Sequence, residues 1–235
     1  MRPLRDKWFS LWRRMATPNG ELSANMMKQS LIMLALPAVL AAAPPFVSLF
    51  DGKTLKGWEQ CDGFAKFRVE DGAIVGTTAE GSPNSFLCTT REYGDFVLEF
   101  EVKVDPVLNS GVQIRSHKYA QETVVNTFNG KTFVQRKHPK GRVHGYQVEI
   151  SNEKAGASGG IYDEARRGWL HNIASDPVAS KAFKDNQWNR YKVEAIGDRI
   201  RVWVNDAPCA DLVDSMDLTG FIALQVHAFK GEKPA

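Results

Sequence analysis

His144-Gly145-Tyr146-Gln147-Val148-Glu149-Ile150 stands well inside the 235-residue chain and reads as a β-strand: Tyr146, Val148 and Ile150 alternate with Gln147 and Glu149. Successive strand side chains leave opposite faces, so this spacing gives one apolar and one polar face. Moving outward, Gly111–Arg115 (GVQIR), Phe221–His227 (FIALQVH) and Phe96–Val104 (FVLEFEVKV) alternate in the same way. Tyr191–Ile196 and Ile200–Val204 flank Gly197-Asp198, a hairpin turn. Gly-, Asp- and Asn-rich turns separate these runs, and only Pro177–Lys184 reads as a short helix. The pattern predicts an all-β fold, an antiparallel β-sandwich. With no internal repeat and no shift of composition, residues 44–235 form one domain.

Hydrophobic residues make up 43% of the chain and charged residues 24%, enough apolar material for a core. Residues 1–43 hold six basic and two acidic residues, leaving 24 basic against 25 acidic over 44–235. So balanced a body has no electrostatic footprint for nucleic acid. Leu31–Ala43 (LIMLALPAVLAAA) carries no charge. It is shorter than the roughly 20 residues of a membrane-spanning helix. Lys28 precedes it and Ala41-Ala42-Ala43 ends it, the form of an export signal removed before folding. The expected product is exported, periplasmic or secreted, with no membrane span in the mature chain. The stretch before it, broken by Pro18-Asn19-Gly20, reads as an upstream extension, with Met26 or Met27 the more natural start. Cys61, Cys88 and Cys209 have no metal-ligand spacing. In an oxidising compartment one pair would bond, Cys61–Cys88 being the first to test, and unpaired core thiols fit equally well.

Three strands carry a polar pair opposite an apolar face: Gln113 with Arg115, Gln147 with Glu149, and Gln225 with His227. An ordinary wet sheet face draws on Thr, Ser, Lys and Glu without such selectivity. Amides, a cation, a carboxylate and an imidazole in one hollow suit sugar hydroxyls, which both donate and accept hydrogen bonds. Two longer segments flank the central strand. Ser116–Val143 is polar and basic, and Ser151–Ser175 is Gly-rich and then aromatic, with Trp169 placed to stack on a sugar ring. They are expected to rise as loops from opposite ends of the strand and wall a cleft. The sequence has no Gly-x-Ser-x-Gly elbow, phosphate loop, His-Glu-x-x-His or dinucleotide fingerprint.

Leu49-Phe50-Asp51-Gly52-x-x-Leu55-x-Gly57-Trp58, Asn109-Ser110-Gly111, Gly145-Tyr146-Gln147-x-Glu149-Ile150 and Gly160-Ile161-Tyr162-Asp163-Glu164-x-Arg166-x-Gly168 carry more than alternation. With Trp188-Asn189 and Gly220–His227, they resemble the 3-keto-disaccharide hydrolase domain family over about residues 46–230. The resemblance implies a concanavalin-like (laminarinase-like) jelly roll and an exported bacterial protein acting on glycosides already oxidised at carbon 3. It also implies a divalent metal ion in some members. Carried onto this chain, it marks Gln147, Glu149, Tyr162, Asp163, Glu164, Arg166 and His227. The family pattern continues past the final His into a closing strand, whereas this sequence runs only to Ala235.

A 3-keto group acidifies the hydrogen on carbon 2, and the resulting enolate can expel the glycosidic oxygen from carbon 1 before water adds. Such a site needs a base, an electrophile at the ketone oxygen and an acid for the leaving group. His227 or Glu149 is the expected base, and Tyr162 or Glu164 the expected acid. The enolate oxygen would meet Arg115 or a divalent ion held by Glu149 with Asp163 or Glu164. Gln113, Arg115, Gln147, Asp163, Arg166, Trp169 and Gln225 are expected to bind an oxidised (3-keto) di- or oligosaccharide or glycoside. The alternative is a non-catalytic, lectin-like carbohydrate-binding module on the same fold. A plain loop salt bridge among Asp163, Glu164 and Arg166 is the other reading of those three.

Overall fold

The computed structural model describes residues 14–16, 46–128, 131–151 and 157–228. Its strands, in chain order, are β1 (Arg14–Ala16), β2 (Trp58–Cys61), β3 (Lys66–Glu70), β4 (Ala73–Thr77), β5 (Ser85–Tyr93) and β6 (Phe96–Val102). Next come β7 (Asn109–Lys118), β8 (Thr123–Phe128), β9 (Phe133–His138), β10 (Val143–Ser151), β11 (Ile161–Glu164) and β12 (Gly168–His171). The last four are β13 (Asn189–Ile196), β14 (Arg199–Val204), β15 (Ala207–Val213) and β16 (Gly220–Val226). Within Pro177–Lys184 the helical element is one 3₁₀ turn, Ala179–Lys181. The export signal at 31–43 and the chain past Ala228 lie outside the described residues. No helix among the described residues is long and apolar enough to cross a membrane.

Two antiparallel sheets make a β-sandwich of the jelly-roll kind. One runs β12-β11-β10-β7-β16-β5-β2 and the other β1-β6-β13-β14-β15, and every strand pair is antiparallel. The apolar faces read from the sequence meet between them. Val112, Ile114, Tyr146, Val148, Ile150, Ile222, Leu224 and Val226 pack against Phe96, Leu98, Phe100, Tyr191, Val193, Ile200 and Val202. Phe100 and Tyr191 stack with ring centroids 4.9 Å apart. Each such side chain stabilises the fold by about 1.5–3 kcal/mol through burial. Turn chemistry agrees: Asp71-Gly72 and Asn205-Asp206 take left-handed backbone angles in the two-residue turns β3–β4 and β14–β15.

In their described residues the two long segments are not simple loops. Ser116–Val143 continues β7, forms the separate hairpin β8–β9 and enters β10; Ser151–Ser175 contributes β11 and β12, which widen the larger sheet. A β-bulge governs the first segment. Between Ile114 and His117, β7 has one residue more than β10 does between Tyr146 and His144, and β16 shows the same offset. Arg115 sits there at φ 46° and Gly145 opposite at φ 132°. A bulge leaves one residue unpaired and bends its strand. Beyond it, the ends of β7 and β10 fold back over the sheet's outer face. Val143 joins Cys61, Phe86, Cys88, Phe221 and Ala223 in a second small apolar cluster. Its amide donates to Asp62 Oδ2 at 3.3 Å. Lys118 Nζ reaches Glu59 Oε1 at 3.2 Å and Cys61 Sγ at 3.7 Å. All three cysteines are buried free thiols. The Cys88 thiol lowers the pKa of Cys61, and burial raises that of Cys88.

Candidate functional site

Register places Cys88, Ala223, Gln113, Gln147, Tyr162 and Trp169 in one row across the outer face of the larger sheet, from β5 to β12. Cys61, Phe86, Gln225, Gly111 and Glu149 form the adjoining row. Side chains on both rows point away from the sandwich core, so the polar face expected for β10 and β16 exists, and Gln113 shares it.

These polar groups are tied to one another. Gln147 Oε1 accepts from Gln113 Nε2 at 2.6 Å and from Gln225 Nε2 at 2.7 Å. Gln147 Nε2 donates to Glu149 Oε2 at 2.8 Å, and Asn109 Nδ2 donates to Glu149 Oε1 at 2.5 Å. Ser116 Oγ donates to Gln113 Oε1 at 2.9 Å. The chain makes room for this ladder at Gly111, where a Cβ would lie 2.5 Å from Gln147 Cδ. Gln113, Gln147, Gln225 and Glu149 are all buried. Two buried acceptors, Asn109 Oδ1 and Gln225 Oε1, have no hydrogen-bond partner among the described residues, an unusual expense in a native fold.

Around this floor stand the remaining groups. Trp169 is 42% exposed and meets Tyr162 edge-on, with ring centroids 5.3 Å apart. Burial raises the pKa of the Tyr162 hydroxyl; Glu164 and Glu149 reinforce the rise and Arg136 opposes it. Glu164 accepts from Arg142 Nη2, and from Asn84 Nδ2 at 3.1 Å. Arg142 also donates to Asp62 Oδ2 at 2.8 Å. Asn84 Oδ1 accepts from Ala228 N at 2.8 Å, which brings the end of β16 beside Glu164. His227 is exposed there, its Nδ1 2.9 Å from Ala228 O. A carbonyl cannot donate, so Nδ1 carries the proton and Nε2 is left as an acceptor facing outward.

Three expected members are elsewhere. Arg115 was to share the face of Gln113, but the bulge at its own position breaks the alternation. Its guanidinium is fully buried and donates to Gly94 O at 2.9 Å, Gly197 O at 2.6 Å and Asp95 Oδ1 at 3.0 Å, pinning two turns. Asp163 and Arg166 belong to an ion network on the opposite side. Asp163 is opposite Tyr146, whose ring is in the core, and takes Arg166 Nε at 2.8 Å and Arg167 Nε. Arg166 continues to Asp217 Oδ2 at 2.5 Å and Arg167 to Asp214 Oδ2 at 2.8 Å; Asp214 also accepts from the Tyr146 hydroxyl. For Asp163 and Arg166 the plain salt bridge is therefore the correct reading, while Glu164 faces the other way. Of the expected metal ligands, Glu149 and Asp163 lie on opposite faces of the sheet, and Glu164 is level with Gly145, four residues along β10 from Glu149, and bound by Arg142 and Asn84, so neither pair fits one ion. Among the described residues no three His, Cys, Asp or Glu side chains cluster as a metal site.

Asn84, Asp62, Arg142 and Tyr119 are site members that the sequence does not disclose. Tyr119 and Arg142 are brought in by the bend of β7–β10, and Asp62 and Asn84 come from the segments after β2 and before β5, none of them through strand alternation. Tyr119 stacks on His144 at 4.1 Å and on His138 at 5.8 Å, and its hydroxyl donates to Ala165 O at 3.0 Å. Burial, with Arg166 adding to it, lowers the His144 pKa to about 4 from an ordinary 6.5. The folded imidazole thus stays neutral where the unfolded one takes up a proton. Its contribution to stability is whole above about pH 6.5 and disappears on acidification toward pH 4. Melting temperature is expected to fall between pH 7 and 5, and His144→Gln to flatten that slope. An equal slope in the variant would contradict the assignment.

Residues 45–232 match the family model of the 3-keto-alpha-glucoside-1,2-lyase-like domain. No curated protein matches the sequence. A Bacillus subtilis protein of unknown function with a galectin-like fold superposes with a TM-score of 0.50 at 10% identity, covering 74% of this chain and 84% of its own. A candidate glycosyl hydrolase of Parabacteroides distasonis gives 0.49 at 18% identity, over 77% of this chain and 86% of that one. The carbohydrate-binding module CBM66 of Bacillus subtilis gives 0.41 at 18%, over 73% and 88%.

Proposed function

Because the chain belongs to the family of 3-keto-alpha-glucoside-1,2-lyase-like domains and so is a carbohydrate-active protein, we propose that it cleaves 3-keto-glycosides on the outer face of its larger sheet. The observation that carries this reading is the amide–carboxylate ladder Gln113–Gln147–Gln225–Glu149 running in register into Tyr162 and the exposed Trp169. The buried ladder fixes the base of this face, and the half-buried Tyr162 and exposed Trp169 at its edge are the groups that a sugar would meet.

In the proposed reaction His227 Nε2 removes the proton from carbon 2, since the Ala228 carbonyl holds the ring in the tautomer that leaves this nitrogen basic. The ketone oxygen takes up the negative charge, and in place of Arg115 the second N–H of the Asn84 amide, beside Ala228 and Glu164, is assigned as its donor. The pair that had joined carbon 2 to hydrogen forms a carbon–carbon double bond as the carbon 1–oxygen bond breaks. Tyr162, whose burial keeps its hydroxyl protonated, supplies a proton to the departing oxygen. Glu164 is already bound by Arg142 and Asn84 and suits the role of anchor better than that of acid. Glu149, fixed by two amides, holds the ladder. Addition of water to the double bond completes a net hydrolysis. With neither expected metal pair fitting one ion, the proposed steps are assigned to the chain's own side chains. The apolar run at 31–43 supports export, to the periplasm or beyond the cell, as the setting.

The test is to incubate the purified protein with 3-keto-trehalose and with trehalose. Sugar release is expected from the first alone, with Tyr162→Phe slower by about 10²-fold or more. Binding without release by the wild type would select a lectin-like module instead.

A further inference from the structure

Apart from Arg142, which holds Glu164, the basic segment noted in the sequence plays no part in the reaction above. Between Ser116 and Val143 the chain has six basic residues (Lys118, Lys131, Arg136, Lys137, Lys140 and Arg142) and one acidic residue, Glu122. Three of these charges are accounted for: Lys118 pairs with Glu59, Lys137 with Glu122, and Arg142 with both Asp62 and Glu164. The β8–β9 hairpin has two distinct faces. Val124, Asn126, Phe133, Gln135 and Lys137 are exposed on one, whereas Thr127 is buried and Val125, Val134 and His138 are half-buried on the other. Arg136 is opposite Val125 in register and so lies on the inner face, where its side chain is exposed. Thr127 Oγ, on that face, donates to Arg166 O at 2.6 Å and fixes the hairpin to the β11–β12 turn. His138, two residues on from Arg136, stacks on Tyr119, whose hydroxyl holds the same turn at Ala165. Arg136 thus stands on the hairpin face tied to the β11–β12 turn, near enough for its charge to act on the Tyr162 hydroxyl, and no ion pair with a carboxylate is found for it among the described residues.

A guanidinium is a planar fork that binds oxyanions through two parallel hydrogen bonds. We infer that Arg136 reads an oxyanion substituent, carboxylate or sulfate, on the saccharide bound at Tyr162 and Trp169, so that the protein selects anionic over neutral glycosides. This rests on the proposed use of that face for sugar, and the test separates the two. Full-chain wild type, Arg136→Gln and Arg136→Lys are assayed on 3-keto-trehalose and on the same disaccharide bearing a 6′-carboxylate or a 6′-sulfate. The wild type is expected to show a kcat/KM at least about tenfold higher for an anionic sugar, through KM rather than kcat. Arg136→Gln should bring the ratio within about twofold, and Arg136→Lys should keep part of it. The better of the two anionic sugars identifies the substituent, and either supports the inference. Neutral sugar turned over with no anionic preference, or a preference that persists in Arg136→Gln, would overturn the inference alone. No turnover or binding of any of the three would overturn it together with the reading beneath it.

Discussion

Asp163→Asn is expected to cost about 3 kcal/mol of stability, a fall of roughly 6–12 °C in Tm for a domain of this size. The carboxylate has no exposed surface and takes two guanidinium groups, from Arg166 and Arg167. Both cations also reach the loop after β15, at Asp217 and Asp214, and the Tyr146 hydroxyl closes the circuit on Asp214. Burial works against ionised Asp214, but the Arg167 and Tyr146 hydrogen bonds hold its pKa below the usual carboxylate value. An isosteric amide at 163 would leave Arg166, only 12% exposed, facing a group that cannot neutralise it. Removing one partner from a buried ion pair is costly because the other charge remains. The exposed pair Arg199–Asp211 is the control: Asp211→Asn should leave the Tm unchanged within error. Thermal melts of the two variants beside the wild type check this. Equal shifts would contradict the structural role given to Asp163.

His227→Ala is expected to lower kcat for a 3-keto-disaccharide by about 10²–10⁴-fold with little change in KM or Tm. The side chain is exposed at the end of β16 and contacts the fold through Ala228 O, so its loss leaves no cavity and no unpaired charge. An effect on turnover therefore reports chemistry rather than folding. Steady-state kinetics with parallel melts make the distinction. Undiminished kcat in the variant would transfer the base to another residue, with Glu149 the remaining carboxylate of the pair first considered.

Strand alternation was legible in the sequence because one face of each strand is apolar. Val148 and Ile150, or Leu224 and Val226, have no other place to go than the core. The same rule placed Gln113, Gln147, Glu149 and Gln225 together on the outer face. It failed at Arg115, where one extra residue in β7 rotates the side chain out of sequence with Gln113. A bulge is a matter of two strands' relative lengths, and one strand's sequence does not state them. Asp163 and Glu164 illustrate a second limit. Neighbours in a short motif, they point to opposite faces, and only the register of β11 against β10 tells which faces which way. Asn84 and Arg142 were hidden for a third reason. They meet at Glu164, Arg142 from the arm that folds back over the sheet and Asn84 from the segment before β5, a contact between distant segments with no periodic signature. The basic character of 116–143 was visible from composition, whereas its hairpin was concealed by an alternation of polar residues with few large apolar ones.

The most direct measurement is a crystal structure of the His227→Ala protein soaked with 3-keto-trehalose. The sugar is predicted to lie against Trp169 and Tyr162, above the buried Gln225–Gln147–Glu149 ladder and with its carbon 2 toward the vacated imidazole. A sugar bound on the opposite sheet, around Trp203, with the Trp169 face empty, would contradict the assignment of the outer face to glycoside chemistry.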